Sequence, residues 1–233
     1  MPRVKNIIIT GNRKGIGRFL TENYLENGYL VAGCSRAETD LVHPNYLHFK
    51  LDVSDEKAVK QMVRSVAKQF GQIDALINNA GIAIMNHALL TPYSALEKVF
   101  KTNVFGTFLF CRETAKEMMK NKFGRIVNFS TISVPVKLEG ELIYASSKAA
   151  VESMTQILCR ELASLGITVN CVAPTLIKTD LIKNVPIETI EKLIDRLPLK
   201  QYGTYQDVLN TIDYFLHENS NMVSGQTIYL GGV

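Results

Sequence analysis

Thr10-Gly11-Asn12-Arg13-Lys14-Gly15-Ile16-Gly17 decides how the rest of this chain is read. It leaves an apolar, β-branched run at 6–10 and enters a helical pattern at 18–26. Glycines at a strand-to-helix turn let the backbone approach a pyrophosphate closely, and the helix N-terminus aims its amides at the charge. The spacing is G-x-x-x-G-x-G, not the G-x-G-x-x-G of the general dinucleotide fingerprint. Position between strand and helix therefore carries the reading more than the glycines themselves. Gly11, Gly15 and Gly17, with Arg13, Lys14 and Ile16 between them, are expected around a cofactor's phosphates.

Working outward, short β-branched runs at 6–10, 30–35, 47–53, 75–78, 125–130, 168–172 and 226–230 alternate with stretches of helical period. Several of these runs are polar only at their ends, as parallel strands covered on both faces are. Between 56 and 70, Ala58, Val59, Met62, Val63 and Val66 recur at three- and four-residue spacing, with Ser54 as a capping candidate. Longer helical stretches run through 95–120 and 145–165, and a shorter one through 206–217. The alternation predicts an α/β fold: one doubly wound Rossmann domain over 1–233, a seven-stranded parallel sheet with helices on both faces.

The second strand selects the cofactor. Proteins that prefer NAD place a carboxylate at its end to accept from the ribose 2′-hydroxyl. Here it ends in Ser35-Arg36, a hydroxyl and a guanidinium suited to a 2′-phosphate, with Lys14 facing the same group. NADP(H) is the expected cofactor. Glu38 and Asp40 are the counter-evidence, because either could loop back to a ribose.

Composition excludes other classes. A net charge of +4 spread over 233 residues, without a basic stripe, argues against a nucleic-acid partner. No apolar run is long enough for a membrane span, and the N-terminus lacks a signal-type apolar region, so a cytoplasmic location is expected. Cys34, Cys111, Cys159 and Cys171 are far apart and read as reduced core thiols; no metal-ligand grouping of His or Cys occurs. The partner expected is a small molecule, not a nucleic acid or a membrane.

Three further motifs make a family resemblance specific. Asn78-Asn79-Ala80-Gly81 follows the fourth strand, Tyr144-x3-Lys148 lies in a helical stretch, and Leu51-Asp52-Val53 follows the third strand. With the glycine turn, these resemble the short-chain dehydrogenase/reductase family over essentially the whole chain, most like its 3-oxoacyl-acyl-carrier-protein reductases. The resemblance implies hydride transfer between NADP(H) and a ketone or secondary alcohol. It places Asp52 and Val53 at the adenine, Asn79, Ala80 and Gly81 beside the cofactor, and Pro174, Ile177 and Thr179 around the nicotinamide. It makes Tyr144 the acid, Lys148 its partner and a ribose ligand, and Asn103 the holder of a relay water. The family's serine, thirteen residues before the tyrosine, is replaced by Thr131, with Ser130 and Ser133 flanking it. Thr175 stands where a glycine is frequent.

The chemistry needs this pairing. A ketone accepting hydride becomes an alkoxide unless an acid stands beside its oxygen, and a free phenol titrates near ~10. Lys148 lies four residues after Tyr144 on one helix face, and an ammonium about 4 Å away is worth up to about 4 kcal/mol at an intermediate dielectric. That pairing is expected to draw the phenol towards neutrality. An amphipathic stretch at 186–197, carrying Ile187, Ile190, Leu193, Ile194 and Leu197, lies in an expected substrate lid over about 181–203. The resemblance also implies a homotetramer, or a homodimer, paired through the two long helices. An epimerase or dehydratase, a reductase of cyclic, sugar or quinone carbonyls, and a catalytically silent NADP-binding regulator remain as alternatives.

Overall fold

Ile7, Ile8 and Ile9 are wholly buried, so the strand that carries them must be covered on both faces. In the computed structural model, which describes residues 4–178 and 187–233, they form β1 (Asn6–Thr10). Six more strands follow: β2 (Leu30–Ser35), β3 (Tyr46–Lys50), β4 (Ala75–Asn78), β5 (Gly124–Phe129), β6 (Ile167–Ala173) and β7 (Thr227–Tyr229). All pair in parallel in the order β3-β2-β1-β4-β5-β6-β7. The expected doubly wound sheet is therefore present. Its order reverses between β1 and β4, and a crevice opens there at the carboxyl ends of the strands.

The pleat divides the core into two layers. Ile7 and Ile9 pack with Ile77, Val127 and Val172 against α1 (Gly15–Glu26) and α8 (Tyr205–Leu216). Ile8 packs on the other face with Leu76 and Ile126, under α2 (Glu56–Phe70) and α4 (Gly106–Met118). The remaining helices are α3 (Tyr93–Phe100), α5 (Ser133–Val136), α6 (Leu142–Leu162) and α7 (Ile187–Arg196). Cys34, Cys111 and Cys171 are buried free thiols and Cys159 is half-buried. No helix among the described residues is long and apolar enough to cross a membrane.

Four local expectations are corrected. β3 ends at Lys50 rather than 53, because its partner β2 stops at Ser35; Leu51–Val53 continue into the crevice. Asp55 caps α2 by accepting from the Ala58 amide, while Ser54 donates its hydroxyl and amide to Asp52. The stretch 95–120 is no single helix: a π-helical turn at Lys101–Phe105 separates α3 from α4. α6 begins at Leu142, three residues ahead of the expected start.

Candidate active site

The first turn of α1 presents its N-terminus to a cavity of about 1290 Å³ at the switch point. That exceeds the few hundred to ~1,000 Å³ of a typical single-ligand pocket, and leaves room for a dinucleotide plus a substrate. Gly15 holds φ at +58°, and a Cβ there would meet nothing within 4 Å, so its backbone is open to the cavity. Gly17 lacks a side chain for a different reason. A Cβ on it would lie 2.4 Å from the Gly11 carbonyl and 2.5 Å from the Asn79 amide nitrogen. Asn79 donates to the carbonyls of Thr10 and Gly11, and the Ala80 amide donates to the Thr10 hydroxyl. The glycine turn and the Asn79-Ala80-Gly81 turn are thus one structure. Gly11, Arg13, Lys14, Gly15 and Ile16 all line the cavity.

At the end of β2, Ser35 and Arg36 line the same cavity, as do Asp52 and Val53. The two acids that could have reversed the cofactor choice are engaged elsewhere. Asp40 accepts from Arg18 at 2.5 Å, and Glu38 lies 3.6 Å from Lys50. Burial raises the Asp52 carboxyl, but the Ser54 hydrogen bonds and the Arg36 charge outweigh it and hold the group below its usual range. A set of residues not foreseen from sequence braces this edge. Asn12 is fully buried where Gly33 leaves space, and donates to the Tyr46 hydroxyl at 2.5 Å. Tyr46 meets His48 Nδ1 at 3.0 Å, and His48 Nε2 lies 3.1 Å from the Ala37 carbonyl, next to Arg36. The signal available in sequence was only a glycine in the middle of β2.

The far end of the cavity gathers the acid–base candidates. Tyr144 and Lys148 project from α6, both buried. Lys148 Nζ donates to the Phe129 carbonyl at 2.8 Å. Burial pushes the Lys148 ammonium down to about 8 and the Tyr144 phenol up to about 12. The expected lowering of the phenol by Lys148 therefore does not govern this state. Drying the site penalises both charged forms, and the amine spends its hydrogen bond on the backbone. The nearby Thr131 hydroxyl favours the ionised phenol and works against burial. Thr131 Oγ1 donates to Ser133 Oγ at 3.2 Å. Ser130 lines the same cavity, but its hydroxyl donates to Glu152.

Asn103 sits in the π-helical turn, fully buried. Its Oδ1 accepts from the Ile82 amide at 2.9 Å, and its Nδ2 donates to the Ile82 carbonyl and the Ser147 hydroxyl. It fastens the segment after Gly81 to α6. A Cβ on Gly81 would stand 3.4 Å from both Asn103 Oδ1 and Lys148 Nζ, so those two groups converge on this glycine. Pro174 and Ile177 line the cavity beside Thr175, whose buried hydroxyl has no partner among the described residues. Thr179 and the first part of the expected lid, 181–186, lie outside the described residues. Of the rest, Ile190 and Leu193 of α7 form cavity wall, and Leu193 and Leu197 pack on Ile132. His87 is exposed and caps a short turn by accepting from the Leu89 amide. No metal-binding group occurs among the described residues.

A family model described as short chain dehydrogenase matches residues 5–189. The chain belongs to this family. It is similar to the 3-oxoacyl-[acyl-carrier-protein] reductase FabG of Staphylococcus aureus, at 32% identity over all of this chain and 98% of that protein. The reductase of the same name from Salmonella typhimurium is 27% identical, covering 98% of this chain and 96% of its own. Among solved structures, ElxO with NADP bound superposes with a TM-score of 0.89 at 31% identity, over 99% of this chain and 97% of that one. A family member with these groups in one cavity is an oxidoreductase.

Proposed function

We propose that this chain binds NADP(H) across the crevice and reduces a ketone to a secondary alcohol, with a 3-oxoacyl thioester as the leading substrate class. The observation that carries the reading is the two-ended cavity: Arg36, Lys14 and the open α1 N-terminus at one end, the buried Tyr144 and Thr131 hydroxyls at the other. The cradle fits the cofactor, since Gly15 leaves its backbone open and the Thr175 hydroxyl still lacks a partner among the described residues. When bound, the nicotinamide supplies the hydride. The names of the relatives, 3-oxoacyl reductases and an NADP complex, support the same choice.

The chain's own residues do the rest. Arg36 and Lys14 neutralise the 2′-phosphate, and the α1 amides take the pyrophosphate. Tyr144, kept protonated by its dry surroundings, gives its proton to the oxygen as negative charge builds there. Thr131 turns its hydroxyl from Ser133 to the same oxygen, a rotation a hydroxyl makes freely. Lys148, one turn after Tyr144 and now bonded to the Phe129 carbonyl, would hold the cofactor ribose, and its charge would ease loss of the Tyr144 proton. Asn103 sets the floor beside Gly81 and, through the family likeness, orders the water that returns the proton. Assembly as a homotetramer and a cytoplasmic location belong to the same reading.

Cofactor choice is directly testable. Arg36→Ala should weaken NADPH binding about ten- to a hundredfold, the worth of a charge-assisted contact of ~1.5–3 kcal/mol, and leave NADH binding almost unchanged. Fluorescence titration reads both constants, and a wild type that prefers NADH contradicts the assignment of Ser35-Arg36.

A further inference from the structure

One carboxylate in the cavity has no task in the mechanism above. Glu141 precedes α6 by one residue, one turn before Tyr144, and lines the cavity while remaining only 7% exposed. It does not cap the helix with its side chain. The nearby Ser133 hydroxyl favours its charged form. Its Oε2 is buried and has no hydrogen-bond partner among the described residues. Glu141 shares its stretch of cavity wall with Ser133, Thr131 and Tyr144, and Thr131 donates to Ser133, so its carboxyl stands among the groups placed around the reacting carbonyl.

A buried acceptor left open is costly, and in native proteins such groups are nearly always satisfied. Burial also raises the carboxyl above its usual range, the mark of a charge short of partners. Ile82, Met85 and Leu193 of the same cavity wall are apolar and offer Oε2 no donor.

We infer that Glu141 is a specificity residue that accepts a hydrogen bond from an N–H or O–H group on the substrate bound at this end of the cavity. The inference rests on the ketone-reductase reading and narrows its substrate. A plain ketone leaves Oε2 desolvated and alone; a ketone bearing a donor completes it. Two sources offer that chemistry. In an acyl-carrier thioester the donor is the amide N–H of the arm beyond the sulfur, and in a smaller ketone it is an amide N–H adjoining the carbonyl.

Two matched pairs of ketones separate these sources. One pair is the N-acetylcysteamine thioester of 3-oxobutanoate and its N-methyl analogue. The other is N-methylpyruvamide and N,N-dimethylpyruvamide. With saturating NADPH, kcat/KM should favour the N–H member of one pair at least tenfold, the usual worth of a hydrogen bond to a charged group. The responding pair identifies the source. In Glu141→Gln, and in Glu141→Met as a second variant, the preference should fall to about twofold. Equal rates within both pairs in the wild type overturn the inference, as does a preference that survives both substitutions. Affinities of the four ketones for the enzyme–NADP+ complex, measured by calorimetry, give the same ratios without turnover. If all four bind and none consumes NADPH, the reductase reading fails while the Glu141 ratio still decides the inference.

Discussion

A buried ammonium is expensive, and Lys148 shows where this chain accepts that cost. Its amine is brought down from 10.5 to about 8 by burial, so at pH 7 the folded protein holds an unfavourable charge that the unfolded chain does not mind. Because the folded value is the lower one, the unfolded state binds more protons between about pH 8 and 10.5, and stability rises with pH across that window. Lys148→Met should therefore be more stable than the wild type at pH 7 by about 2–3 kcal/mol, the shift converted and reduced for the unsatisfied Phe129 carbonyl. Denaturant melts at pH 7 and pH 10 check this: the advantage should shrink towards zero at the higher pH. A variant less stable at pH 7 contradicts it. At this scale the sequence was informative where a motif named the residue, as at Tyr144, Lys148 and Arg36. It was silent where only contacts speak. Glu141 looks like any loop acid until its oxygen is found buried, and Asn12 looks like a loop asparagine until it is found beneath Gly33.

Elements were legible to the extent that their periodicity was local. The Ile7-Ile8-Ile9 run and the apolar face of α2 announce themselves because their burial repeats along the chain. The end of β3 and the π-helical turn do not, since each is fixed by a partner distant in sequence: β2 in one case, Ile82 with Asn103 in the other. The β2–β3 edge offers a test of such long-range fixing. A Cβ on Gly33 would fall 1.8 Å from Asn12 Nδ2, and Asn12 is held by the Tyr46 hydroxyl. Gly33→Ala should cost about 1–3 kcal/mol as an overpacked core position and weaken NADPH binding by disturbing the turn that carries Arg13 and Lys14. Asn12→Ala in the same chain should recover most of the folding loss by vacating the space. Thermal unfolding of the two single variants and the pair measures the coupling; strict additivity would show that the two sites do not share that space.

At the scale of the molecule, the seven-stranded parallel sheet with helices on both faces was readable, because alternation and right-handed crossovers leave few topologies. How copies associate was not, since no local pattern marks an interface. Phe105 and Phe108 beside or on α4, and Leu142 and Ile157 on α6, expose large apolar surface on the two long helices. Apolar exposure of this kind marks association surfaces, and a homotetramer built through these helices is expected. Light scattering at micromolar concentration should return about four times the chain mass of 26.0 kDa; a value near 26.0 kDa contradicts it.

Turnover depends most on Tyr144 acting as the acid at the buried end of an NADPH-filled cavity. The most direct measurement is the rate of NADPH consumption with a 3-oxobutanoyl thioester, for the wild type and Tyr144→Phe, beside the NADPH affinity of each. The wild type should turn over, and the variant should bind NADPH within severalfold yet lose about two to four orders of magnitude in rate, the range for a missing general acid. Near-normal turnover by Tyr144→Phe would contradict the mechanism.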